Sequence, residues 1–264
     1  MHPILFQLGK LNIYAYGFFI VLGFGAGVFF TILKAKKVGI EVPLERVIDI
    51  LFYSVLSAIV GSRILFVLIH FDFYRENPLK IFKLWEGGLV FYGGLIFAIG
   101  ISMGYMRWYR LPIWRLTDLV SPSIALGLFF GRIGCFFAGC CYGKETSLPW
   151  GIPFTDPNSL ARLNVSLHPT QLYDAASSLA IFFFLNWREK RKTFDGQIFF
   201  LFLLFYSISR FFIEMLRGDP RGFLFGDLLS TSQGIGIFLA ISSLFMLFYL
   251  KKGQIRKGAC FRDP

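Results

Sequence analysis

Apolar positions in this chain come in long continuous runs, without the period of two that marks a half-buried strand or the 3.6-residue stripe of a surface helix. Seven runs stand out: Ile13 to Leu33, Val47 to His70, Gly88 to Tyr105, Leu116 to Cys140, Tyr173 to Trp187, Gln197 to Leu216 and Leu228 to Leu250. About 20 apolar residues wound as a helix cross a hydrocarbon core of roughly 30 Å. The fifth run is short for this. The pattern predicts an all-α membrane protein of about seven transmembrane helices, forming one polytopic domain over residues 1–264. No internal repeat, low-complexity stretch or soluble domain interrupts it.

Composition agrees with lipid as the solvent: 55% of the residues are hydrophobic and only 16% charged. The net charge of +11 would suit a nucleic-acid binder, but the distribution of the charge argues against one. Lys34, Lys36, Lys37 and Arg46 follow the first run, and Arg107, Arg110 and Arg115 the third. Arg188, Lys190, Arg191 and Lys192 follow the fifth, and Lys251, Lys252, Arg256, Lys257 and Arg262 the seventh. By the positive-inside bias this alternation predicts an outer N-terminus and a cytoplasmic C-terminus. The first run has no basic segment before it and no small-residue cleavage site after it, so it reads as a retained span. The two longest loops, Phe71 to Gly87 and Tyr142 to Leu172, then face outward.

Charge inside the runs is the first pointer to chemistry. Arg63, Arg132 and Arg210 lie within the second, fourth and sixth runs, where each costs roughly 2.5 to 3.5 kcal/mol at a helix centre unless paired or hydrated. On the predicted topology each comes roughly 21 to 25 Å beyond the inner end of its helix, at one common depth in the outer leaflet. Tyr14, Tyr16, Tyr92, His168, Gln171, Tyr173 and Asp174 start the outward-beginning runs at that level, and Glu214 stands one helical turn after Arg210. Taken singly, the tyrosines suit interfacial anchoring and the arginines suit snorkelling. Three arginines from separate helices at one depth favour a site.

Glycine and cysteine add to this. The runs Glu86 to Leu95 and Gly131 to Gly143 put small residues where helices approach closely. Gly93 and Gly94, near a helix start, are also expected to leave N–H groups free for a phosphate. Cys135, Cys140 and Cys141 crowd the outer end of the fourth run, while Cys260 lies in the tail. Their spacing is not that of a zinc site, and the cluster reads as small apolar packing, with a disulfide as the alternative.

Together these segments resemble the phosphatidylglycerol:prolipoprotein diacylglyceryl transferase family. The likeness runs through Tyr14-Ala-Tyr16-Gly17, Gly87-Gly-Leu-Val-Phe-Tyr-Gly-Gly-Leu95, Gly131-Arg-Ile-Gly-Cys-Phe-Phe-Ala-Gly-Cys-Cys-Tyr-Gly143, His168-Pro-Thr-Gln-Leu-Tyr-Asp174, Asp195-Gly-Gln197 and Arg210-Phe-Phe-Ile-Glu-Met-Leu-Arg217. The chain departs from the family pattern at Tyr92, where a histidine often cast as catalytic is usual, at Cys135 for an asparagine, at Cys140 for a glutamate and, more mildly, at Asp174 for a glutamate.

The resemblance implies transfer of the diacylglyceryl group of phosphatidylglycerol to the lipobox cysteine of prolipoprotein signal peptides. The expected setting is the bacterial inner membrane, with the site toward the outer leaflet and membrane lipids as surroundings. It implies catalytic roles for Arg132, Arg210, Tyr92 and Glu214. Phosphatidylglycerol would be bound by Arg132, Tyr16, Gly93, Gly94, Gly143, His168, Gln171 and Asp174. Neither metal nor other cofactor is implied, and no nucleic acid. Guanidinium groups suit this chemistry because they remain charged and grip phosphate oxygens as a fork. The base is open among Tyr92, His168, Asp174 and Glu214, and an incoming thiol whose pKa the arginines lower would need little help from any of them. A transporter of lipid or small anions would also carry charges within spans, and a non-catalytic family member would account for the missing histidine.

Overall fold

The computed structural model describes residues 2–8, 11–38, 42–83, 87–219, 223–224 and 229–260. Residues 84–86 of the first long loop, Leu228 and Arg262 lie outside these. In chain order the helices are α1 (Ala15–Val38), α2 (Leu44–Ile69), α3 (Phe71–Glu76), α4 (Phe91–Trp108), α5 (Ile113–Ala138), α6 (Thr170–Glu189), α7 (Gln197–Met215) and α8 (Thr231–Cys260), with a short 3-10 turn at Pro78–Phe82. Three two-stranded antiparallel pairs join them: β1 (Ile4–Leu8) with β2 (Leu11–Tyr14), β3 (Ile152–Pro153) with β4 (Ser166–Leu167), and β5 (Phe223–Leu224) with β6 (Leu229–Ser230). The pairs are too short to be seen in apolar periodicity, and the sequence reading has no strand where they stand.

Among the described residues, five helices are long and apolar enough to cross a membrane: α1, α2, α5, α7 and α8. The expected third and fifth spans are helical too, as α4 and α6, but they are more polar. Four glycines and two tyrosines dilute α4, and α6 opens on a polar face that includes the buried Thr170, Gln171 and Asp174. Large apolar side chains point outward along these helices, Phe52, Phe97, Phe183, Phe238 and Phe245 among them, as suits helices solvated by acyl chains.

The chain divides into two compact units, Met1–Thr31 with Thr117–Pro264, and Ile32–Leu116. In the smaller unit, α2 and α4 pack through Gly61, Gly93 and Gly94. A methyl added at Gly94 would stand 2.9 Å from the Ala58 carbonyl, closer than such atoms come, so glycine is what permits the contact. Arg63 is buried here and spends all its donors on main-chain carbonyls. Its Nε donates to Ile81, its Nη1 to Gly87 and Gly88, and its Nη2 to Lys80 and Lys83, at 2.6 to 3.2 Å. The sequence grouped Arg63 with two other arginines. Its guanidinium is instead a clamp that folds the segment after α3 onto α2, and satisfied donors make its burial affordable.

In the larger unit, Ala125 of α5, Ile181 and Leu185 of α6, and Ile198 and Phe202 of α7 form one buried cluster. The N-terminal half of α1 lies along the glycines of α5. A Cβ at Gly134 would meet the Tyr16 carbonyl at 3.3 Å, and Thr31 hydrogen bonds Ser123 at 2.6 Å. Asp118 of α5 holds the start of α7: its Oδ2 accepts from the Gly196 N–H at 2.8 Å and its Oδ1 from the Phe199 N–H at 2.9 Å. Lys192 bridges it to Asp195, at 3.0 and 2.7 Å. A carboxylate borrowed from another helix thus satisfies the orphan donors of an N-terminus, which gives the Asp195-Gly-Gln197 segment a structural task.

Candidate active site

Three loops of the larger unit meet where α5 ends, α6 begins and α7 ends. The Gly143 N–H donates to the His168 carbonyl at 3.0 Å, Lys144 to Leu216 at 2.8 Å, and Gly218 to Tyr142 at 3.1 Å. Gly143 sits between two main chains, since a Cβ there would stand 2.6 Å from the His168 oxygen and 2.9 Å from that of Leu216. The crossing brings Arg217, just past α7, within 3.9 Å of Asp174 in α6.

Asp174 is the hub. It is 3% exposed, and its Oδ2 faces Arg210 Nη1 at 3.0 Å, Arg132 Nε at 3.3 Å and Arg217 Nη1 at 3.9 Å. Arg210 Nη2 pairs with Glu214 Oε2 at 2.9 Å, and the Ser230 hydroxyl donates to Glu214 Oε1 at 3.1 Å. Arg217 is gripped by Asp219 through Nε and Nη2, at 3.0 and 3.1 Å. Three guanidiniums are thus held together against their mutual repulsion by the buried carboxylates of Asp174 and Glu214 and the half-buried one of Asp219, an arrangement that needs such hydrogen bonding to offset desolvation.

The three are not equivalent. Arg210 has a carboxylate on each Nη, and Arg217 has one across Nε and Nη2. Arg132 touches Asp174 by Nε, and neither of its Nη atoms has a hydrogen-bond acceptor among the described residues. Its side chain is 16% exposed. A half-buried, oriented guanidinium with an open fork is equipped to take two oxygens of a phosphate.

Sulfur lines the same place. Gly139, at φ +74, and Cys141, at φ +61, turn the chain back after α5, and the Sγ atoms of Cys135, Cys140 and Cys141 gather within 4.8 Å of one another. The Gln171 amide donates to the Cys140 carbonyl and the Thr170 hydroxyl to that of Cys141, both at 2.8 Å. The Cys140 thiol donates to the Cys135 carbonyl at 3.7 Å, and the Arg217 guanidinium lies within electrostatic reach of Cys141. Tyr16 is within electrostatic reach of all three cysteines and of Arg132.

The fold therefore brings together Arg132, Arg210, Glu214, Asp174, Gln171, Gly143 and Tyr16 of the residues singled out in the sequence. His168 contributes its main chain to the crossing, and its ring lies 3.4 Å from the Tyr173 hydroxyl. Tyr92, Gly93 and Gly94 belong to the other unit. There Tyr92 is exposed, and Gly93 and Gly94 are buried against α2. The expected free phosphate-binding donors are already used, because both glycine N–H groups donate to the Val90 carbonyl, at 3.1 and 3.3 Å. Asp219 and Ser230 were not foreseen, since nothing in their local sequence marks them as partners of buried charges.

A family model described as prolipoprotein diacylglyceryl transferase matches residues 3–249. The chain belongs to the prolipoprotein diacylglyceryl transferase family. Among its relatives, the phosphatidylglycerol--prolipoprotein diacylglyceryl transferase of Clostridium tetani is 38% identical over 247 residues, 93% of this chain and 96% of the relative. The enzyme of that name numbered 2 in Clostridium perfringens is 36% identical over 258 residues, covering 97% and 98%. That of Pseudoalteromonas translucida is 34% identical over 260 residues, covering 97% and 96%. Family membership thus extends across the helices that carry Arg132, Asp174 and Arg210.

Proposed function

We propose that this chain is a phosphatidylglycerol-prolipoprotein diacylglyceryl transferase that works with the open fork of Arg132 on the phosphate of phosphatidylglycerol. The lipobox thiol of a prolipoprotein signal peptide, as thiolate, attacks the glycerol carbon that bears the phosphate. A carbon–sulfur bond forms, the carbon–oxygen bond to phosphorus breaks, and its electron pair leaves on glycerol phosphate. The product is a diacylglyceryl thioether.

The barrier to this displacement lies in the charge that gathers on the leaving phosphate in a medium of low dielectric. Arg132 supplies two donors and a fixed positive charge there. Arg210 and Arg217 add positive potential behind it, and each Nη of Arg210 keeps a second N–H besides the one given to a carboxylate. Asp174 and Glu214 hold the guanidiniums in place and are occupied in doing so, which leaves them poor bases. Tyr16, Gln171 and Gly143 shape the wall around the headgroup.

The same reading places the chain in the bacterial inner membrane as seven spans, counting α4 and α6, with the N-terminus outside, the C-terminus in the cytoplasm and the site near the outer leaflet. The alternating basic clusters support this orientation. The observation that carries the proposal is the unpaired fork of Arg132 beside a carboxylate-bound group of arginines, in a chain of this family. Purified protein given phosphatidylglycerol vesicles and a lipobox peptide is expected to add the mass of one diacylglyceryl group to the peptide cysteine and release glycerol phosphate. An unmodified peptide, with folded protein present, would overturn the proposal.

A further inference from the structure

The transferase reading leaves a gap that the geometry can fill. A thiol must become a thiolate in a site whose two buried carboxylates, Asp174 and Glu214, are both bound to arginines. Beside them lie three sulfurs with no evident task. In sequence, Cys135, Cys140 and Cys141 lack the paired spacing of a zinc motif. In the fold, the end of α5 and the turn at Gly139 and Cys141 bring their Sγ atoms within 4.8 Å of one another.

We propose that Cys135, Cys140 and Cys141 form a three-thiolate zinc site whose open fourth position receives the lipobox thiol of the substrate. This rests on the transferase reading above and gives the lipobox thiol a way to ionise without a protein base.

Four observations converge on it. The first is spacing: a tetrahedral zinc with bonds of about 2.3 Å wants sulfurs roughly 3.8 Å apart, which small rotations of these side chains reach. The second is support from behind. Gln171 and Thr170 fix the carbonyls of Cys140 and Cys141 at 2.8 Å, so the main-chain segment that carries these two ligands is anchored to α6, much as outer partners orient metal ligands elsewhere. Charge is the third: three thiolates and zinc carry a net negative charge, which a fourth thiolate would increase, and Arg132 and Arg217 lie in electrostatic reach of the sulfurs. Arg217 Nη1 is moreover buried without a hydrogen-bond partner, although its side chain is 2% exposed.

The fourth observation is access. Cys135 is buried while Cys140 and Cys141 are half-buried, so the cluster is closed on one side and reachable from the other. Three protein ligands and one exchangeable position are the pattern of a catalytic zinc, whereas structural sites are closed by four. A thiol entering that position gives up its proton to solvent on binding. The zinc-bound sulfur then forms its bond to the glycerol carbon, and glycerol phosphate departs with the carbon–oxygen pair. The thioether, a weaker ligand than a thiolate, leaves the metal.

Cobalt(II) provides a test with a readout separate from turnover. The full chain, purified in detergent with its thiols reduced, is expected to contain about one zinc per chain. After removal of zinc, cobalt should give sulfur-to-metal charge-transfer bands and tetrahedral ligand-field bands. A lipobox peptide should shift those bands, and a peptide with Ser for the lipobox Cys should not. Cys135→Ser and Cys140→Ser should each weaken metal retention. Should a variant fail to fold, stripping and reloading the unmutated chain carries the same test: transfer should fall roughly tenfold or more without metal and return with zinc. Full transfer by the stripped protein, a disulfide among the three cysteines in active protein, or cobalt bands indifferent to the peptide thiol would each overturn the zinc site while leaving the transferase reading intact. Cobalt bands that shift with the peptide, in a zinc-loaded protein that makes no thioether from phosphatidylglycerol, would instead sink the donor assignment and leave the thiol site standing.

Discussion

Asp174 Oδ2 lies 3.0 Å from Arg210 Nη1 and 3.3 Å from Arg132 Nε, so one carboxylate oxygen in α6 ties an arginine of α5 to an arginine of α7. Asp174→Asn keeps the shape and removes the charge that reconciles these guanidiniums. Breaking a buried pair from one side costs on the order of 3 to 5 kcal/mol. The variant is expected to lose thermal stability in detergent and most of its transfer activity, whereas Asp174→Glu, which retains the charge, should recover much of both. Equal melting of Asp174→Asn and the unmutated protein would show that the carboxylate is not the tie.

Gly143→Ala addresses a different constraint. The added methyl would stand 2.6 and 2.9 Å from two main-chain oxygens, so the strand before His168 or the segment carrying Arg217 must move. Overpacking of this kind costs about 1 to 3 kcal/mol. A stability loss of that size, with turnover falling more than the affinity for phosphatidylglycerol, is expected. A variant that weakens only lipid binding would instead make Gly143 a headgroup contact.

At Tyr92 the expectation is mild. The side chain is exposed and its ring packs 5.9 Å from Phe91, so Tyr92→Phe should keep most of the activity, and Tyr92→Ala should lose more of it through the missing ring. A fall of several orders of magnitude in folded Tyr92→Phe would make the hydroxyl catalytic.

Much of this architecture is legible in the chain. The five most apolar helices appear as uninterrupted runs, and Arg132, Arg210 and Glu214 stand out because charge in such a run needs a reason. What is missing has physical causes. Convergence in space has no local signature, so Asp174 reads as a lipid-binding or base candidate at a helix start and not as the tie between two arginines, and Asp219 and Ser230 do not register at all. Arg63 has the same sequence appearance as Arg132, and only the fold reveals five main-chain acceptors around one and an open fork on the other. The donors at Gly93 and Gly94 were misjudged because sequence gives the approximate helix start but not that the Val90 carbonyl sits within reach.

Topology is open to a direct check. A reporter active only outside the cytoplasm should be silent when fused after Leu250 and active in the loop from Tyr142 to Leu172, as the basic clusters imply. The reverse pattern would move the site to the inner leaflet.

Specific activity of Arg132 variants, normalised to folded protein, tests the central claim most directly. Lys keeps the charge but not the planar fork, so Arg132→Lys should turn over roughly 10 to 100-fold more slowly, a loss of about 1.4 to 2.7 kcal/mol of transition-state stabilisation. Arg132→Ala should lose more, since removing even one preorganised donor costs on the order of a hundredfold in comparable anion sites. If Arg132 only anchors α5, less protein will reach the membrane but each folded molecule will work normally. Full specific activity in Arg132→Ala would contradict the assignment of this fork to the phosphate.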